Sequence, residues 1–194
     1  HSHVPGVYTE SGKFLMPSEI GMEWQVDEPA IVNVGSVGQP RDGDTRSSFV
    51  TYAGDGTDGT KHGSRTVAQM SYPQSPAIDP ITKELVVPMW GSGTVARITP
   101  MGRVNTFAGD SANPGTDVDA LTLAARFTAP TGLIVDAAGI TFVAGWTGHT
   151  VRKITVGGTV NTVAGTGSYG DLDHGSDGLL AEFRNPLGFT ISGG

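Results

Sequence analysis

From about residue 49 onward the chain alternates short apolar runs with glycine-rich breaks. The clearest stretch is Ala124–Gly165, AARFTAPTGLIVDAAGITFVAGWTGHTVRKITVGGTVNTVAG. Its β-branched and aromatic residues collect in four runs, Gly132–Val135, Thr141–Ala144, Thr150–Ile154 and Thr159–Val163. The breaks between them are Asp136–Gly139, Gly145–Gly148 and Gly157-Gly158. Runs of this length, with turn formers between them, predict a four-stranded antiparallel meander. Leu121–Arg126 has a helix-forming composition and predicts a short helical turn leading into the meander.

The pattern repeats. Ala-Gly steps at Ala53, Ala108 and Ala164 are 55 and 56 residues apart. Thr94-Val95-Ala96-Arg97-Ile98 returns 56 positions later as Thr150-Val151-Arg152-Lys153-Ile154, and Asn105-Thr106 as Asn161-Thr162. Phe127 and Pro130 return as Phe183 and Pro186, in the same register. Several landmarks sharing one period mark a repeat architecture, and four strands per repeat is the blade of a β-propeller. Two whole repeats are present, Phe49–Arg103 and Val104–Thr159, with a third starting at Val160. The motif AARF..PTGLIVDAAGITFVA....H.VRKIT..G.VNTVAG resembles the NHL repeat family, over residues 49–194. That resemblance implies an all-β propeller of four-stranded blades. Gly148-His149 stands where the family has Asn-His, Ser92-Gly93 occupies the same place one repeat earlier, and Ala144-Gly145 replaces the usual Ala-Asp. Two blades cannot close a ring, so further blades or self-association with other copies are expected.

Residues 1–48 do not follow the repeat. His1 and His3 are two apart, and on an extended segment they point the same way, as two ligands of a dinuclear metal site do. Histidines near a terminus are also common as exposed bystanders or as the residue of a tag. HSHVPG together with Ile31–Asp44, IVNVGSVGQPRDGD, resembles the C-terminal part of a calcineurin-like metallophosphoesterase. The resemblance implies that His1 and His3 match the two histidines of its Gly-His-x-His motif. It also implies that Asn33, Gly35, Ser36, Gly38, Pro40 and Arg41 form a packing strand and turn, a β-rich remnant of an α/β fold. The cofactor so implied is a Mn, Fe or Zn pair, and only in a complete domain. The family's upstream Asp-x-His, bridging Asp, Asn segment and further His would all precede His1. Two ligands do not hold a catalytic metal, so hydrolysis by this chain alone is not expected. The start at His1-Ser2-His3 and the stop after Ile191 read as cuts through larger units. Ser48–Thr51 fits both the last phosphoesterase strand and the outermost strand of a blade, without a linker between the two.

Composition narrows the partners. The chain has 194 residues, 29 of them glycine, and a formal charge of −7 from 12 Lys+Arg and 19 Asp+Glu. No basic run offsets that charge, so nucleic acid is not an expected partner. With no cysteine there is neither a disulfide framework nor a thiolate site. No apolar run approaches the roughly 20 residues of a membrane helix, and no membrane partner is expected. Nucleophile elbow, P-loop and HExxH motifs are absent, and nothing orients Ser64 or Ser71 towards His62 as a triad.

Each Ala-Gly step opens an acidic, glycine-rich loop. The first holds Asp55, Asp58 and His62, the second Asp110, Asn113, Asp117 and Asp119, and the third Asp171, Asp173, His174 and Asp177. Asp171, Asp173, Asp177 and Glu182 have the spacing of positions 1, 3, 7 and 12 of a calcium loop. Ser176 stands where that loop needs glycine, and no helical flanks are evident, so a solvated turn is the stronger reading. Trp90 and Trp146 follow the second strand of each repeat, as ligand-facing rings at the propeller's mouth or, the stronger reading, as packing between blades. His149 precedes a strand and is expected to hold a turn by a hydrogen bond. Two functions stand side by side: a binding module offering its loops to a protein, glycan or small ligand, and the tail of a dinuclear phosphoesterase active only in a longer chain. A recombined fragment without function is the third reading.

Overall fold

The computed structural model describes residues 53–188 and 190 in full, and the backbone alone of 6–9, 14–15 and 30–33. It divides into two compact units, His1–Thr51 and Tyr52–Gly194. In the first, β1 (Gly6–Thr9) pairs antiparallel with β2 (Phe14–Leu15) on one side and β3 (Ala30–Asn33) on the other. His1, His3 and the dual-purpose strand at 48–51 lie outside the described residues.

The second unit is all-β and built from propeller-type blades. The first blade is a meander of β4 (Ala77–Ile78), β5 (Leu85–Met89), β6 (Thr94–Ile98) and β7 (Val104–Ala108). The second is β9 (Pro130–Val135), β10 (Thr141–Gly145), β11 (Thr150–Ile154) and β12 (Thr159–Ala164). Strand β8 (Ala120–Leu121) adds to its outer edge, pairing Ala120 with Val160. In the first blade a bridge from Gly63 to Val104 occupies the same place. Both blades carry a register shift at one position, between Val95 and Ala96 and between Val151 and Arg152. The four strands anticipated over 132–163 are present within two residues at each end. The short helical turn anticipated over 121–126 is present as a 3-10 turn, Thr122–Ala124, entered from the end of β8. Pairing of Leu121 with Thr159 of β12 leaves the turn short, and the Ala125 N–H closes it on the Thr122 carbonyl.

Both faces of the first blade are buried. Val86 and Val95 point to one face and pack with Leu133, Val143, Ile154 and Val160 of the second blade. Val87, Met89, Ala96 and Ile98 point to the other, against Ala53 and Ala68. This is the two-residue alternation of a strand with a layer on each side. Phe127, 2% exposed, comes from the connection between the blades and fills the core they share. Replacing Phe127 with Ala should lower the free energy of unfolding by about 3–5 kcal/mol. Met101→Ala, at a residue 87% exposed, should stay within about 0.5 kcal/mol. Urea melts of the two variants check the contrast.

Candidate binding surface

The meander sends its first and third turns to one end of the blade and its second turn to the other. The second turn, Trp90–Gly93 or Trp146–His149, meets the approach to the first strand there. The Trp90 N–H donates to the Tyr72 carbonyl (3.1 Å), and the Trp146 N–H to the Ala129 carbonyl (2.9 Å). Tyr72, Ala129 and Asn185 each precede a proline, and each has a left-handed backbone, with φ 47°, 48° and 51°. Asparagine tolerates that conformation, whereas tyrosine and alanine each give up about 1–2 kcal/mol to hold it. The position was not singled out from sequence, although Pro73, Pro130 and Pro186 mark it three times.

The side chains there differ. Tyr72, 60% exposed, sets its ring against Trp90, 44% exposed, at 5.8 Å and 73°. Ala129 presents only a methyl group. The Asn185 side-chain amide donates to the Trp146 carbonyl (3.1 Å), and its backbone N–H donates to His149 Nδ1 (3.4 Å). Trp146 is half-buried. His149 also has a left-handed backbone (φ 51°), where the first blade has Gly93 (φ 61°). Its ring meets Tyr169 edge-on at 5.4 Å, and the Arg184 guanidinium lies over Tyr169 at 5.6 Å.

The acidic loops serve local structure. Asp171 pairs with Arg184 (2.7 Å), Asp173 accepts from the Gly175 N–H (2.9 Å), and Asp177 caps a 3-10 turn through the Leu179 N–H (3.0 Å). Glu182 donates its backbone N–H to Leu172. Asp171, Asp173, Asp177 and Glu182 therefore do not converge, and among the described residues no group of three or more His, Asp or Glu side chains could hold a metal ion. Among those residues, too, no helix is long and apolar enough to cross a membrane.

The second loop carries the most connected polar group. Arg152 is 1% exposed. Its guanidinium donates to the Arg126 carbonyl, to the Val118 carbonyl (2.8 Å) and to Asp119 (2.6 Å). It also stands 3.8 Å from Asp117 and 4.8 Å from the Phe127 ring. Asp119 accepts from the N–H and hydroxyl of Thr162 as well. In the first blade Ala96 takes the place of Arg152, and His62 takes that of Asp119. His62 Nε2 accepts the Thr106 N–H (3.2 Å) and lies 2.6 Å from the Thr106 hydroxyl. The acid is thus tied to the arginine: where the cation is missing, an imidazole ring latches the outer strand.

No family model and no curated protein matches the chain. Solved structures do. A Bacteroides thetaiotaomicron protein of unknown function is 27% identical over 60% of this chain, with a TM-score of 0.55. A candidate phosphatase from the same organism is 19% identical over 66% of the chain, with a TM-score of 0.54. The chain spans 29% and 31% of their lengths. Virginiamycin B lyase from Staphylococcus aureus is 15% identical over 47% of the chain at a TM-score of 0.34, too loose a superposition to bear on function.

Burial raises the pKa of Asp119, but the Thr162 N–H, the Arg152 guanidinium and the Thr162 hydroxyl outweigh it and hold the carboxyl below its ordinary value. A depressed folded-state pKa stabilises above the unfolded value of about 3.9, and the contribution is lost as pH falls through the folded value. Asp119→Asn should therefore be less stable than the native chain at pH 7. The gap should narrow below about pH 4, which thermal melts over pH 3–7 would register.

Proposed function

We propose that residues 49–194 are NHL-type blades serving as a binding module, with the ligand-facing surface at the end that carries Tyr72, Trp90, Trp146, His149 and Asn185. One observation carries this reading. A strained backbone position recurs three times at the same end, presenting Tyr, then Ala, then Asn, and in the two complete blades the same tryptophan N–H donates to its carbonyl. Strain kept at a constant frame beneath a variable side chain is the arrangement of a surface that positions contacts. Of the two readings of Trp90, its exposure and its contact with Tyr72 of the same blade favour the ligand-facing one. His149 and Asn185 brace the frame of the second blade.

Further blades complete the module, from a longer chain or from other copies. Val86 and Val95 are 0% exposed beneath the second blade, whereas their counterparts Phe142 and Val151 are only half-buried. That face has the apolar character of a blade interface, and the described residues cover it only in part.

The chain has no cysteine, so fluorophores can be placed on single cysteines at Thr147, at the ligand-facing end, and at Ala137, at the opposite end. Titration with neutral oligosaccharides, tripeptides and nucleotides should give a saturable response at 147 and none at 137. A response at both sites alike, or at neither, rejects the binding surface.

A second reading concerns residues 1–48: the tail of a dinuclear metallophosphoesterase, with His1 and His3 as two of its metal ligands. The antiparallel pairing of β1, just after HSHVPG, with β3, just before Gly35, supports it. Catalysis would then need the ligands that the rest of such a domain supplies. Calorimetry with Mn²⁺ should show binding that is abolished in His1→Ala and His3→Ala. Absence of Mn²⁺ binding, or binding that survives both substitutions, removes His1 and His3 as ligands.

A further inference from the structure

The aromatic pair on the first blade has no equivalent on the second, and the difference extends to the residues beside it. Gly91 lies against the Ser71 and Tyr72 side chains: a Cβ there would overlap the Ser71 hydroxyl and meet Tyr72 Cδ2 at 2.7 Å. At the matching place in the second blade the residue is Thr147, and the residue facing it from the pre-proline position is Ala129. The two positions change together: a large ring against glycine in one blade, a methyl group opposite threonine in the other. The first blade is therefore shaped to seat Tyr72 in this place, and its strained φ of 47° is locked by the N–H groups of Trp90 and Gly91, which donate to the Tyr72 and Ser71 carbonyls.

Among the described residues, the side chains found against this pair are neutral. They comprise the Ser71 hydroxyl, the Trp90 indole N–H and the Gln74 side-chain amide, which donates to the Tyr72 carbonyl (3.2 Å) and leaves its own oxygen free for a ligand. Both rings stand in solvent rather than inside a cleft. A desolvated cation or a wholly apolar ligand would gain little on so open a surface, because both interactions strengthen with enclosure. A sugar ring suits it: one face carries only C–H groups and stacks on an aromatic ring, while its hydroxyls stay hydrated or reach neutral donors and acceptors. Rings already fixed before binding lose little freedom when the ligand arrives.

We propose that Tyr72 and Trp90, seated against Gly91, form a platform that binds a pyranose ring of a neutral oligosaccharide. The proposal rests on the reading of this end of the blades as a binding surface. The test uses the full chain with maltohexaose, cellohexaose and xylohexaose, followed by tryptophan fluorescence and calorimetry, and with choline chloride as the cationic arm. At least one oligosaccharide should saturate the native protein, with affinity unchanged by 0.5 M NaCl. Tyr72→Ala, Trp90→Ala and Gly91→Thr should each weaken it at least tenfold. Tyr72→Ala recreates the residue that the second blade carries on the same backbone, so unaltered melting is expected of it, whereas Gly91→Thr has to displace the Ser71 hydroxyl and the Tyr72 ring and should melt lower. Oligosaccharide binding that survives all three substitutions overturns the platform but leaves the binding module standing. So does saturation by choline alone, or a response of the label at 147 to peptides or nucleotides with none to sugars. If no ligand of any class elicits a response, both readings fall.

Discussion

The second unit depends on a wedge between its sheets. A four-stranded meander with apolar residues on both faces cannot stand in water by itself, and the connection that ends in Phe127 supplies part of the cover. The same wedge brings Asp117, Val118, Asp119 and Arg126 to the Arg152 guanidinium, which is buried among them. Burying a cation costs several kcal/mol unless hydrogen bonds and opposite charge replace its water. The second loop therefore has to return to one particular place: it is the counter-charge of the core as well as a connection.

With the loop so anchored, its other end is anchored too. Thr128 follows Phe127, its N–H bound to Asp117 (2.7 Å), and Ala129 and Pro130 then lead into the first strand of the second blade. The left-handed residue before the proline is thus held from the core side by the wedge and from the surface side by the N–H of Trp146. Doubly held, the backbone keeps its conformation whichever side chain sits there. That accounts for alanine in a strained position at Ala129, and the Trp90 N–H holds Tyr72 in the same way from the surface side.

Much of the architecture was legible in the sequence because it rests on periodicity. The two-residue alternation, the turn residues and the shared step of 56 mark strands and blades without any knowledge of contacts. The helical turn within 121–126 was legible from composition, but the pairing of Leu121 with β12 that limits it to 122–124 was not. His149 was legible as a turn residue from its place before a strand. The acidic loops were legible as turns but not in their partners, because carboxylates that serve a bound cation and carboxylates that serve an arginine, a turn or an N–H have the same spacing. Only the partners distinguish them, and Arg152 lies 33 residues beyond Asp119 in the chain.

The sequence by itself thus determined the strands, their order within a blade and the repeat, because these follow from local propensity and from the alternation of buried and exposed positions. Tertiary structure alone decided which loop residues are structural and which face outward. It set Tyr72 beside Trp90 across 18 residues of chain, placed Gly91 against the ring, and turned Asp117 and Asp119 inward to Arg152. Those pairings arise from packing between segments distant in sequence, and a one-dimensional pattern carries no record of which distant group a side chain will meet.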